Sequence, residues 1–129
     1  MASCATYREH LNLSQRHFEA NDFERALVLL RDLERDLDAL SPPERARYAY
    51  LRGMADYRMS YRSDARHWLA LAREFEAQTP GAFSEPWKAR IVDAQRDLDR
   101  EVFGNIASSV TTLASPIPSP SVDSGPPGR

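Results

Sequence analysis

One cysteine in 129 residues excludes an internal disulfide. Five glycines leave no room for a Gly-rich phosphate loop, and neither G-x-S-x-G nor H-E-x-x-H occurs. No apolar run approaches the ~20 residues that a membrane-spanning helix needs. No segment alternates apolar and polar residues with period two, which argues against half-buried strands. Neither sign of charge dominates: 17 basic and 19 acidic residues give a net charge of −2, so no global basic field points to nucleic acid. His10, His17 and His67 lack metal-ligand spacing, so neither a metal nor a cofactor is expected. These absences favour a binding module over an enzyme.

The length suits one domain with a tail. The composition breaks near residue 104. Up to Phe103 the chain is dense in Arg, Glu, Asp, Leu and Ala; beyond Gly104 only Asp123 and Arg129 are charged. Five of the nine prolines lie in that last stretch: Pro116, Pro118, Pro120, Pro126 and Pro127. Residues 1–103 therefore read as a helical domain and 104–129 as a disordered Pro/Ser/Gly-rich tail, too poor in apolar surface to offset ordering entropy. Ser115-Pro116 and Ser119-Pro120 would suit phosphorylation in a eukaryote, but composition favours a solvated linker end.

Apolar residues in 1–103 recur at three- and four-residue steps. Tyr7, Leu11, Ser14 and Phe18 mark a first helix ending near Ala20-Asn21. Phe23, Ala26, Leu27, Leu30, Leu33, Leu37 and Leu40 form one stripe, read as one helix behind Asp22 and stopped by Ser41-Pro42-Pro43. Ser41 caps a third helix with an inner face of Ala46, Ala49, Tyr50, Gly53 and Tyr57. Ala65, Trp68, Leu69, Ala72 and Phe75 mark a fourth. Trp87, Ile91, Ala94, Leu98 and Val102 mark a fifth, with Ser84 as cap and Gly104 as stop. The fold class expected is all-α: two antiparallel helix pairs and a closing helix.

The pairs carry a further pattern. Leu13-Ser14, Phe18, Asn21-Asp22-Phe23, Ala26 and Leu30 are followed by Leu51, Gly53, Tyr57, Ala65, Leu69, Ala72 and Pro80. This ladder of small residues, aromatics and turn resembles the tetratricopeptide repeat (TPR), in which small residues let two helices approach closely. The chain departs from that pattern. Ala65 follows Ala26 by 39 positions, against about 34 in the usual repeat. Ser14 replaces a glycine, and His17 stands where an aromatic is common. The extra residues are expected in a longer second helix and its Pro-Pro loop, and residues 85–103 in a capping helix.

The resemblance implies a non-enzymatic interaction scaffold with a concave groove lined by the first helix of each pair. Carried over by position, the groove would present Leu11, Gln15, Phe18 and Glu19 from the first pair. The second would contribute Arg47, Tyr50, Met54, Tyr57 and Arg58. The expected occupant is a protein or peptide, and the open end of a two-repeat stack would also admit self-association. Leu11 and Gln15 stand where a chaperone-binding TPR has carboxylate-clamp residues, so that activity is not expected.

Two other readings compete with this one. Arg45, Arg47, Arg52, Arg58, Arg62 and Arg66 are opposed only by Asp56 and Asp64. With Tyr48, Tyr50, Tyr57 and Tyr61 for stacking, they offer an alternative binder of RNA or anionic surfaces. The acidic stretch Asp32–Asp38 and the net charge favour a solvated face instead. Separately, Ala2-Ser3-Cys4 resembles the end of a bacterial lipoprotein signal, with Cys4 as the lipidated residue. That would place the chain on the periplasmic side of a membrane. As the sequence stands no charged and apolar leader precedes it, and the expectation is then cytoplasmic. An Arg-rich composition with Lys88 as the single lysine fits a GC-rich bacterial source.

Overall fold

The structure, a computed structural model, describes residues 4–113, and side-chain exposure over 6–107. Its elements are α1 (Cys4–Glu19), α2 (Phe23–Leu33), a 3₁₀ segment (Glu34–Ala39), α3 (Pro42–Arg58), α4 (Arg62–Gln78) and α5 (Glu85–Leu113). The architecture is all-α, with no strand among the described residues. The chain divides after Leu98 into two units. The apolar core belongs to the first, and the second carries the remainder of α5.

The same turn joins α1 to α2 and α3 to α4. In the first, Asn21 adopts φ 61°, its N–H donates to Phe18 O (3.0 Å), and Asp22 N–H reaches back to His17 O (2.8 Å). In the second, Ser60 adopts φ 67°, its N–H donates to Tyr57 O (3.2 Å), and Tyr61 N–H reaches Asp56 O (2.8 Å). Both are Schellman closures, in which one left-handed residue lets the ending helix satisfy its last carbonyls. The next helix starts at once: the Asp22 side chain accepts from Arg25 N–H at 3.3 Å. A capping box opens α3, with Ser41 N–H donating to Glu44 Oε1 (2.9 Å) and Glu44 N–H to Ser41 Oγ (3.4 Å).

Cross-helix contacts set the directions. Arg8 meets Glu44, Arg47 meets Asn12, and Phe18 meets Tyr50, so α1 and α3 run parallel. Tyr50 stacks on Trp87 and Tyr57 bonds Asp97, so α3 and α5 also run parallel. Glu76 pairs with Lys88, and Arg66 donates to Leu98 O, so α4 returns antiparallel to α5. Helix α3 therefore lies in the middle. Residues 48–56 are buried without a break, which no surface helix allows. At Gly53 α4 packs tightly against α3: a Cβ built there would sit 2.7 Å from Leu69 Cδ2 and 3.0 Å from Leu69 N.

Burying α3 on all sides takes two of its charges inside. Arg52 is 6% exposed and Asp56 is 0% exposed. The Arg52 guanidinium donates to Glu34 Oε1 (2.8 Å), Tyr48 Oη (3.0 Å) and Asp56 Oδ2 (3.3 Å), and lies 5.0 Å from the Trp68 ring centroid. Tyr48 Oη in turn donates to Leu30 O at 2.6 Å. Asp56 Oδ1 accepts no hydrogen bond and has Arg31 Nη2 at 3.8 Å. Burial pushes the Asp56 carboxyl up to about 6, against the pull of Arg52 and Arg31. It likewise pushes the Tyr48 phenol up to about 12. Removing one member of such a network leaves an uncompensated buried charge, at a cost of about 3–5 kcal/mol.

Two expectations are corrected. The stripe from Phe23 to Leu40 is not one helix: α2 ends at Leu33 and is followed by a 3₁₀ segment broken by a kink at Asp36, whose φ −110° and ψ 20° are not helical. Leu37 and Leu40 are three apart, a spacing that suits either helix type, and Leu40 N–H closes on Leu37 O at 3.0 Å. This 3₁₀ segment takes up residues that the sequence pattern places in a longer second helix. Nor does Gly104 stop α5, which runs on to Leu113. An exposed helical glycine costs only about 1 kcal/mol, too little to end a helix alone. Residues 114–129, including Ser115-Pro116 and Ser119-Pro120, lie outside the described residues.

Candidate functional site

The α1–α2 turn does more than reverse the chain. With Asn21 left-handed, Phe23 at the start of α2 comes back against Phe18 near the end of α1. The two rings meet edge to face, with centroids 5.3 Å apart at 76°. Phe18 also meets the Tyr50 ring of α3 at 6.0 Å. The result is an aromatic row, Phe23–Phe18–Tyr50, that steps from α2 through α1 to α3. An arginine stands at each end. Arg58 lies over Phe23, 5.1 Å from its centroid, and Arg90 Nη1 donates to Tyr50 Oη at 3.4 Å. Burial pushes the Tyr50 phenol up, partly offset by Arg90.

This arrangement borders a cleft of about 390 Å³ lined by Phe18, Glu19, Asn21, Phe23, Met54, Arg58 and Arg90. Phe18, Phe23 and Met54 are half-buried or nearly buried apolar groups, while Glu19, Arg58 and Arg90 are exposed. Arg58 and Arg90 have no carboxylate partner among the described residues. The one acid of the lining, Glu19, accepts from Gln15 Nε2 at 3.2 Å. The cleft thus joins an apolar floor to two exposed guanidinium groups.

The residues expected in a groove separate into two groups. Phe18, Glu19, Met54 and Arg58 come together in this cleft. Leu11 and Tyr50 are completely buried, because parallel neighbours cover the faces they share. Tyr50 is enclosed by Phe18, Phe83 and Trp87, the last stacked on it at 3.9 Å and 7°. Gln15 and Arg47 bond each other at 3.0 Å and help tie α1 to α3. Tyr57 donates to Asp97 Oδ2 at 2.7 Å and so faces α5. Sequence reasoning missed Asn21, Phe23 and Arg90 as lining residues. Phe23 had a signal, an aromatic directly after a turn. Arg90 had none, since nothing in the chain says that α5 runs beside α3.

The basic stretch does not form one face. Arg45 donates to Leu40 O, Arg52 is buried, Arg58 lines the cleft, Arg62 pairs with Asp97 and Arg66 donates to Leu98 O. Tyr48 and Tyr50 are fully buried and offer no face for base stacking. Cys4 opens α1; its side chain, and residues 1–3 before it, lie outside the described residues. No helix is long and apolar enough to cross a membrane among the described residues. Comparison with protein-family models, with curated proteins and with solved structures gave no match.

Proposed function

We propose that the chain is a non-enzymatic, TPR-like interaction module that holds a peptide segment of a protein partner in the cleft between α1, α3 and α5. The repeat reading is supported by the Schellman turns at Asn21 and Ser60, which recur at the same offset as Ala26 and Ala65. It is supported too by small buried residues, Ser14 and Gly53, at that same offset. The interaction reading rests chiefly on one observation: Phe18 and Phe23 stay partly exposed in the cleft, above the buried Met54 and beside two exposed arginines. Aromatic, Met and Arg side chains are the types enriched where proteins meet, because they combine large contact area with a polar end.

The test is selection of random nonapeptides displayed on phage against the full-length chain. Selected peptides should lose binding to Met54→Gln, with Phe23→Ala as a second variant should the first fail to fold. Selection of nothing, or of peptides that bind both variants as tightly as the parent, would overturn the proposal.

A further inference from the structure

The charges of the cleft narrow what fits it. Resting on the peptide-binding reading above, we infer that the occupant is an acidic peptide segment. Its apolar side chain rests against the contacting Phe18 and Phe23 rings at the cleft floor, and its carboxylates meet Arg58 and Arg90.

Three observations carry this. First, both guanidinium groups are exposed and neither is neutralised by a carboxylate among the described residues, whereas Arg8, Arg25, Arg35, Arg52, Arg62 and Arg96 each have one within ion-pair distance. Second, their contacts hold them in place without neutralising them. Arg58 rests on the Phe23 ring and Arg90 on the Tyr50 hydroxyl, so less side-chain freedom remains to be lost when an anion arrives. Third, the two cations flank the aromatic row from opposite ends. A segment crossing the partly exposed Phe18–Phe23 pair would reach both arginines of the cleft lining, with an apolar residue over the rings. Glu19 is the one opposing charge in the lining. It makes the charge argument directional, since its removal should help an acidic ligand and harm a basic one.

The experiment uses the nonapeptides selected by the full-length chain. Peptides should be enriched in Asp and Glu flanking Leu, Phe or Met. For a fluorescein-labelled member, affinity should fall about tenfold for Arg58→Gln/Arg90→Gln and rise for Glu19→Gln, with both effects shrinking in high salt. Circular dichroism of each variant separates lost binding from lost folding. Peptides that need Met54 but show no acidic enrichment and no response to the arginines would overturn this inference and leave the peptide-binding reading standing. Weaker binding on Glu19→Gln would overturn it in the same way. Failure to select any peptide overturns both.

Discussion

Replacing Gly53 by alanine should destabilise the fold, although alanine is the better helix former. The added Cβ would stand 2.7 and 2.8 Å from Leu69 Cδ2 and Cγ, and 3.0 Å from Leu69 N. Comfortable carbon contacts lie near 3.5–4.0 Å. A new Leu69 rotamer can move the side-chain atoms but not the backbone nitrogen, so α3 and α4 must separate. Overpacking of this kind costs about 1–3 kcal/mol, and the gain from removing a helical glycine returns up to about 1 kcal/mol. The net loss is about 1–2 kcal/mol, or a melting temperature lower by about 5–15 °C for a unit of this size. Thermal unfolding followed by circular dichroism reads it. Leu69→Ala in the parent should cost about 2–5 kcal/mol, but less in the Gly53→Ala background, because part of the clash leaves with the side chain. Gly104→Ala is the control: apart from its chain neighbours and its own helix backbone nothing lies within 4 Å of a Cβ there, so the same change should raise helicity. A Gly53→Ala chain that melts higher than the parent would refute the close approach of α3 and α4.

Ser60 holds the left-handed position of the second turn with a side chain that is sterically crowded there, so Ser60→Gly should stabilise by about 0.5–1 kcal/mol in urea denaturation, while Asn21→Gly stays near neutral. A loss at Ser60 would contradict that turn. For Asp56 the folded value of about 6 lies above the unfolded value of about 3.9, so between those limits the folded chain binds the extra proton. Its contribution is fully present below about pH 4 and lost as pH rises through about 6, by up to about 3 kcal/mol. The stability difference between the parent and Asp56→Asn should therefore shift in the parent's favour from about pH 7.5 to about pH 4; a difference that does not change with pH would count against the buried carboxyl.

The helical hairpins were legible because their signals are local. Leu and Ala at three- and four-residue steps, Asn21-Asp22 at a turn, and Ser41-Pro42-Pro43-Glu44 at a helix start each act within a few residues. What was not legible depends on neighbours far along the chain. Hydropathy reads Arg52 and Asp56 as surface, and only Glu34, Tyr48 and Arg31, brought together by α2, the 3₁₀ segment and α3, let them enter the core. Leu11 and Tyr50 sit on the very faces where a groove was expected, but those faces are taken up by packing between parallel helices. The cleft itself was half legible. Phe18, Met54 and Arg58 follow from helical phase, whereas Arg90 enters only through the placement of α5. Gly104 misleads for a related reason: a helix-weakening residue is a bias, and the residues after it still accept helical geometry.

The most direct measurement is a ¹H–¹⁵N correlation spectrum of the full-length chain during titration with a selected acidic peptide. Shifts are expected at Phe18, Glu19, Phe23, Met54, Arg58 and Arg90. Shifts that leave these six still and gather instead around Phe83, Lys88 and Val92, on the α4–α5 side, would contradict peptide binding in this cleft.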